Sequence, residues 1–189
     1  MKGKLLDILK FLHEIEALKS VTRHSWTSSG RQESVPEHCW RMALMAMILG
    51  DEFPNVDIRR VIEMSLLHDL GELYDGDTPA FEKEDLGKHL AEEEKAVKRA
   101  VEVLPERLQK KIVSLCKEFN ECQTKEAKLA NALDKLEVLI QHNEADLDTW
   151  TLEEHTLNLT YGREDTDFSE VTKKLRELVD EETSKKTSK

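Results

Sequence analysis

Glycine and proline are scarce, seven and four in 189 residues, and strand-like alternation of apolar and polar positions is nearly absent. A sheet-rich fold needs frequent turns, so this shortage argues against one. The three cysteines, Cys39, Cys116 and Cys122, form no C-x-x-C pair. An odd, scattered set argues against a disulfide framework and a thiolate zinc site, and fits reduced thiols in a cytoplasmic protein. Long hydrophobic stretches are also missing: the apolar run Ala43–Leu49 falls far short of the roughly 20 residues that a bilayer span requires. Charges near the N-terminus stand where a signal peptide carries its apolar segment. Finally, no Lys/Arg cluster stands apart from acidic neighbours, and 39 Asp and Glu against 28 Lys and Arg leave a net charge of -11. Neither a nucleic-acid polymer nor a membrane is therefore an expected partner.

What is present is helical periodicity. Apolar residues recur at spacings of three and four throughout, so the expectation is an all-α, single-domain bundle over residues 1–182, followed by a disordered polar tail, 183–189. A chain of this length buries about 70% of the surface it exposes when unfolded, which suffices for one core. Leu5, Leu6, Ile8, Leu9, Leu12 and Ile15 mark a first helix ending near Lys19. Residues 20–33 break the period and read as an ordered loop. Ser34-Val35-Pro36-Glu37 is a capping box that opens a second helix, to about Glu52. Asp57 is the expected N-cap of a strongly apolar third helix running to about Tyr74. The turn-rich stretch Asp75–Pro79 leads to a charged helix over about Asp85–Leu104, Pro105 starts another, and a long helix spans Thr124 to about Asn143. Residues 144–166 read as irregular, and 167–182 as an amphipathic terminal helix.

Certain polar residues interrupt these apolar faces. His68 and Asp69 are adjacent near the end of the most apolar helix, where a buried carboxylate costs several kcal/mol unless a cation or hydrogen-bond donors meet it. Imidazole and carboxylate together suit a borderline divalent metal, while a salt-bridged structural pair reads from the same dipeptide. His38 lies in the first turn of its helix, and Asp134 interrupts the apolar run around Leu133 and Leu136. A first-turn histidine and an Asp134–Lys135 ion pair are the structural alternatives. On a continuous helix Glu72, three and four residues beyond Asp69 and His68, shares their face, and Gly71 permits close approach of another backbone or a ligand. A carboxylate beside an activated water can move the protons that hydrolysis requires.

The order His38, His68-Asp69, Asp134 resembles the HD-domain metal-dependent phosphohydrolases. More specifically, Glu33-Ser34-Val35-Pro36-Glu37-His38, Leu67-His68-Asp69-Leu70-Gly71-Glu72 and Gly76-Asp77-Thr78-Pro79 resemble the 5'-deoxynucleotidase, or oxetanocin-like, branch. The resemblance spans about residues 5–145. It implies one divalent transition metal (Co, Mn, Zn, Ni or Fe) held by His38, His68, Asp69 and Asp134 between helices, with Glu72 as the catalytic carboxylate. It further implies that Asp77 bonds a sugar 3'-hydroxyl, that Arg23 grips phosphate and that Trp26 packs against deoxyribose. Arg31 is a second phosphate candidate or a surface arginine. The implied substrate is a deoxyribonucleoside 5'-monophosphate, and the implied assembly is a homodimer. Two alternatives stay open: an HD hydrolase for a ribonucleotide, a triphosphate or a signalling nucleotide, and a noncatalytic sensor of metal and nucleotide.

Overall fold

The computed structural model describes residues 1–77 and 86–188. It is a helical bundle with one small hairpin. Helix α1 (Lys2–Glu14) tightens into a 3-10 segment over Ile15–Ser20, where an unbroken helix to Lys19 was expected. Strands β1 (Thr22–Trp26) and β2 (Gln32–Ser34) then pair antiparallel with an irregular register between Thr22 and Trp26. This hairpin corrects the reading of residues 20–33 as a loop. Its alternation is hard to see because the inward-facing positions of β1 are polar: Ser25 is buried and Arg23 half-buried. The strand is held by packing on a helix, not by an apolar face of its own.

Helix α2 (Val35–Leu49) starts at the expected capping box, in which Glu37 Oε2 accepts from the Ser34 amide at 2.9 Å. Asp57 caps α3 (Ile58–Ser65) by accepting from the Arg60 amide at 3.2 Å. The expected continuous helix to Tyr74 is instead broken after Ser65. Ser65 Oγ bonds back to the Val61 carbonyl, and His68 Nδ1 bonds the Ser65 carbonyl, which removes it from any helical ladder. Hydroxyl back-bonding of this kind bends helices. The chain continues as a 3-10 turn, His68–Gly71, and a short helix α4 (Glu72–Asp75). Thr78 and Pro79, and the start of the charged helix near Asp85, lie outside the described residues.

Helices α5 (Leu86–Val101) and α6 (Glu106–Glu121) pack on each other and on the 3-10 turn. Helix α5 approaches closely at Gly71: a Cβ there would lie 3.2 Å from the Glu93 carbonyl oxygen. The glycine thus admits another backbone, as its position suggested. Leu70, Leu73, Val97, Ala100 and Val101 form this smaller core, with Ile8 and Phe11 of α1 against it.

The larger core surrounds α7 (Lys125–Glu144), which α2, α3 and α6 cover. Leu129, Leu133, Leu136 and Leu139 are almost fully buried on it, each stabilising the fold by roughly 1.5–3 kcal/mol. Within residues 144–166, expected to be irregular, lie the short helices α8 (Glu154–Leu157) and α9 (Arg163–Thr166). The last helix, α10 (Glu170–Thr187), packs against α7 and extends through most of the tail expected to be disordered. Thr183 explains the extension, since its hydroxyl is buried and bonds Asn143 Oδ1 at 3.0 Å. Among the described residues no helix is long and apolar enough to cross a membrane.

Gly162 joins α9 to this core. Its φ is +64°, and a Cβ would lie 2.5 Å from Lys135 Cβ on α7. Gly162→Ala therefore combines a left-handed backbone cost of about 1–2 kcal/mol with overpacking of similar size. The expected outcome is a melting temperature lowered by about 5–10 °C, measured by thermal unfolding followed by circular dichroism. An unchanged melting temperature would show that Lys135 moves aside without cost.

Candidate metal centre

Three elements deliver four side chains to one point. The capping box fixes the first turn of α2, which aims His38 inward. The 3-10 turn delivers His68 and Asp69, and α7 delivers Asp134. His38 is fully buried, His68 and Asp134 are buried, and Asp69 is half-buried. His38 Nε2 stands 3.4 Å from His68 Nε2, 3.1 Å from Asp134 Oδ1 and 3.8 Å from Asp69 Oδ2. His68 Nε2 is 3.1 Å from Asp69 Oδ1 and 4.0 Å from Asp134 Oδ1. Nitrogen and oxygen donors that share one ion at about 2.0–2.2 Å lie roughly 3–4 Å apart, so the set fits a divalent cation.

The proton positions fit as well. His68 Nδ1 faces the Ser65 carbonyl at 3.1 Å, and burial lowers the pKa of the ring, so the neutral ring turns its Nε2 lone pair into the cluster. His38 Nδ1 bonds Glu137, which likewise leaves Nε2 for the cluster. A carboxylate behind a ligating histidine fixes its orientation and raises its basicity. Burial and Arg23 lower the His38 pKa, but Glu137 and Asp134 outweigh them and push it up to about 10. That shift expresses the demand of the carboxylates for positive charge between them. Against burial, Lys135 and His38 hold Asp134 well below the usual carboxylate range, and His68, Arg23 and His38 hold Asp69 below it. Cys39 also lies near, 3.9 Å from Asp69 Oδ2, yet burial and Asp69 push its thiol well up and keep it protonated.

The ion pair that the sequence offered for Asp134 is present, and it leaves the other carboxylate oxygen toward the cluster. Asp134 Oδ2 accepts from Lys135 Nζ at 2.7 Å while Oδ1 faces His38. Arg23 lies over the cluster, donating from Nη1 to Asp69 Oδ2 at 3.2 Å, with Nε 3.6 Å from Glu33 Oε2. Trp26, at the far end of the same strand, is half-buried, and its carbonyl accepts from Gln141 Nε2 at 2.6 Å. Glu72 is buried, and its Oε2 has no hydrogen-bond partner among the described residues. Burial first, then the nearby Asp69 and Asp77, push it up to about 10. Glu72 reaches this place by a route other than the expected one. It follows Asp69 by three residues out of a 3-10 turn, in which positions three apart eclipse each other, rather than sharing the face of one long helix. Arg31 is not part of the site: it is exposed and forms an ion pair with Glu37.

Sequence reasoning passed over four supporting residues, Glu137, Arg41, Gln141 and Glu33. Glu137 is fully buried and also accepts from Arg41 Nε at 2.6 Å, while Arg41 Nη2 donates to Gln141 Oε1 at 2.7 Å. Glu33 is 2% exposed, and burial and Glu137 push it up to about 7. A signal for Glu137 existed, because it sits three residues after Asp134 and four after Leu133, inside the apolar stripe of α7.

The HD domain family matches residues 15–176 of the chain. The human 5'-deoxynucleotidase HDDC2 is 38% identical over 141 residues, covering 73% of this chain and 68% of its own length. The 5'-deoxynucleotidase hdd1 of Schizosaccharomyces pombe is 30% identical over 145 residues, 74% of this chain and 72% of its own. Among solved structures, one from Magnetospirillum magnetotacticum, described as a predicted metal-dependent phosphohydrolase, superposes with a TM-score of 0.83 at 27% identity, covering 97% of each chain. A conserved hypothetical protein from Pyrococcus furiosus superposes with a TM-score of 0.71 at 26% identity, over 93% of this chain and 99% of that one. The histidine and aspartate that meet in the 3-10 turn thus stand within a match that takes in most of the described bundle, and the chain belongs to the HD domain family.

Proposed function

We propose that the protein is a metal-dependent 5'-deoxynucleotidase that cleaves deoxyribonucleoside 5'-monophosphates into deoxynucleoside and inorganic phosphate. One observation carries the reading: two imidazoles and two carboxylates converge on one point with Arg23 at 3.2 Å from Asp69, and the relatives that share this chain's sequence are named 5'-deoxynucleotidases. His38, His68, Asp69 and Asp134 hold a single divalent ion, of the Co, Mn, Zn, Ni or Fe type. When bound, that ion polarises the phosphoryl oxygens and lowers the pKa of a water beside them.

The other residues have separate tasks. Arg23 is a half-buried cation, held by Asp69 in an acidic chain, and it reverses the field locally for a phosphomonoester dianion. The carboxylate of Glu72, with one oxygen free of hydrogen bonds among the described residues, holds or releases the proton at the attacking or leaving oxygen. Asp77, half-buried beside Glu72, accepts from the sugar 3'-hydroxyl. Trp26, on the same strand as Arg23, fills the space that a ribose 2'-hydroxyl would take, which is steric exclusion without a base contact. A stripe of exposed leucines on α1, Leu5, Leu9 and Leu12 with Leu6 beside them, supports a homodimer in which a second copy covers it. Three free thiols, Cys39, Cys116 and Cys122, suit a cytoplasmic setting.

The functional test is a phosphate-release panel of matched deoxy- and ribonucleoside monophosphates with Co, Mn, Zn and Mg. Deoxynucleotides are expected to have the higher kcat/KM, and Trp26→Ala is expected to narrow the ratio. Equal wild-type rates on both sugars sink the deoxynucleotidase reading, whereas an unchanged ratio in the variant moves the sugar gate away from Trp26.

Glu72→Gln should keep its metal and its nucleotide affinity and lose about 10²- to 10⁴-fold in kcat, the usual effect of removing a positioned proton-transfer group. Metal content, nucleotide binding and turnover are measured on one preparation. Loss of metal together with turnover makes Glu72 a ligand instead.

Glu137→Gln should weaken metal affinity about 10- to 100-fold, because the amide no longer fixes the His38 ring as a carboxylate does. His68→Ala, by contrast, should abolish binding at this centre. Competition against a chelator of known affinity separates the two outcomes, and wild-type affinity in Glu137→Gln would reduce Glu137 to a salt-bridge partner of Arg41.

A further inference from the structure

A second cluster of ligand-type side chains lies outside the site described above. His24 on β1, His142 on α7 and Glu154 at the start of α8 bring one donor atom each to within 4.8 Å of one another. The three come from different parts of the chain, and no role in the proposed hydrolysis uses them. Glu154 Oε1 touches His24 Nε2 and stands 3.6 Å from His142 Nε2, yet accepts no hydrogen bond from a described residue. Its side chain is 3% exposed, so water does not readily replace the missing donor. The other oxygen is occupied, accepting from the Thr151 amide at 2.7 Å, which fixes the carboxylate in place.

His142 is oriented like the histidines of the first site. Its Nδ1 faces Asn158 Oδ1 at 3.0 Å, so Nδ1 carries the proton and the Nε2 lone pair points toward Glu154. Ser25 Oγ, 3.1 Å from His142 Nε2, adds a fourth polar atom beside the two nitrogens and the carboxylate oxygen. A histidine held from behind by an amide, a buried carboxylate with an unused oxygen and a second imidazole make a His₂Glu donor set, which suits zinc and similar borderline divalent ions. His24 is 27% exposed at its side chain, so the cluster opens to solvent on that side.

We propose that His24, His142 and Glu154 form a second divalent-metal site, with Ser25 beside it, that pins β1 to α7 and α8. The site is independent of the first, because its ligands are not shared. The ion bound there holds in place the strand that carries Arg23 and Trp26, which neighbour His24 and Ser25 in sequence. Its effect is on the stability and position of the hairpin.

The test counts ions. Protein stripped with a chelator and dialysed against Co²⁺ or Zn²⁺ should carry two ions per chain, and His24→Ala should carry one. His24 is the most exposed of the three, so this variant is the least prone to misfold, and His142→Gln provides a second. In a His68→Ala background, where the first centre is broken, added Zn²⁺ should still raise the melting temperature, as any ligand specific for the folded state does. Adding His24→Ala to that background should remove the rise. A single ion per chain in both wild type and His24→Ala, or a zinc-dependent rise that survives the His24 change, overturns the site and leaves the cluster as an ion pair only. Absence of nucleotide hydrolysis by the wild-type protein would sink the deoxynucleotidase reading without altering the ion count, so the two inferences fail separately.

Discussion

Helix α7 sits at the centre of the bundle with almost no face open to water, and it nevertheless carries Asp134, Glu137, Gln141 and His142 in its buried half. A buried charge without a partner costs several kcal/mol, so each of these groups must be met from another element. Their partners account for much of the architecture. Asp134 and Glu137 face the two ring nitrogens of His38, Gln141 holds the backbone of Trp26 and the guanidinium of Arg41, and His142 meets Ser25 and Asn158. One helix thereby sets the position of α2, of the hairpin and of the residues that follow α7.

The same requirement explains why the backbone departs from regular helix where it does. A straight helix from Asp57 to Tyr74 would leave the Ser65 carbonyl in its ladder and His68 without a partner for Nδ1. The break after Ser65 gives that carbonyl to the imidazole and turns Nε2 toward His38. Glu72 follows directly out of the tightened turn, and the proximity of the Asp69 carboxylate helps raise its pKa. Gly71 then lets α5 close over the turn from behind. Local irregularity, ligand orientation and the packing of a neighbouring helix are consequences of one arrangement.

Electrostatics complete the picture. With a net charge of -11 the chain repels phosphate at long range. Inside the site, however, Arg23 lies within salt-bridge reach of Asp69 and Glu33, and Lys135 and Arg41 meet Asp134 and Glu137. These cations partly neutralise carboxylates that would otherwise be protonated by burial, so the carboxylates remain available as donors to a cation. A divalent ion held by the cluster would add further positive charge there.

By itself the sequence determined the helical class, the capping box at Ser34, the Asp57 cap and the ligand-type residues His38, His68, Asp69 and Asp134, because caps and helical stripes are local patterns and the HD order is a short motif. Glu72 was legible as a carboxylate near them, although for a geometric reason that did not hold, since periodicity cannot show where a serine and a histidine will interrupt a helix. Only tertiary structure decided the hairpin of β1 and β2, because Arg23 and Ser25 face a buried polar site and so leave no apolar alternation to read. It also decided the extension of α10 through Thr187, which depends on a hydroxyl finding Asn143 on another helix. Glu33 and the cluster of His24, His142 and Glu154 belong to the same class. Their chemistry arises from contacts between residues up to 130 positions apart, as His24 and Glu154 are, and no local pattern along the chain encodes a distance in space.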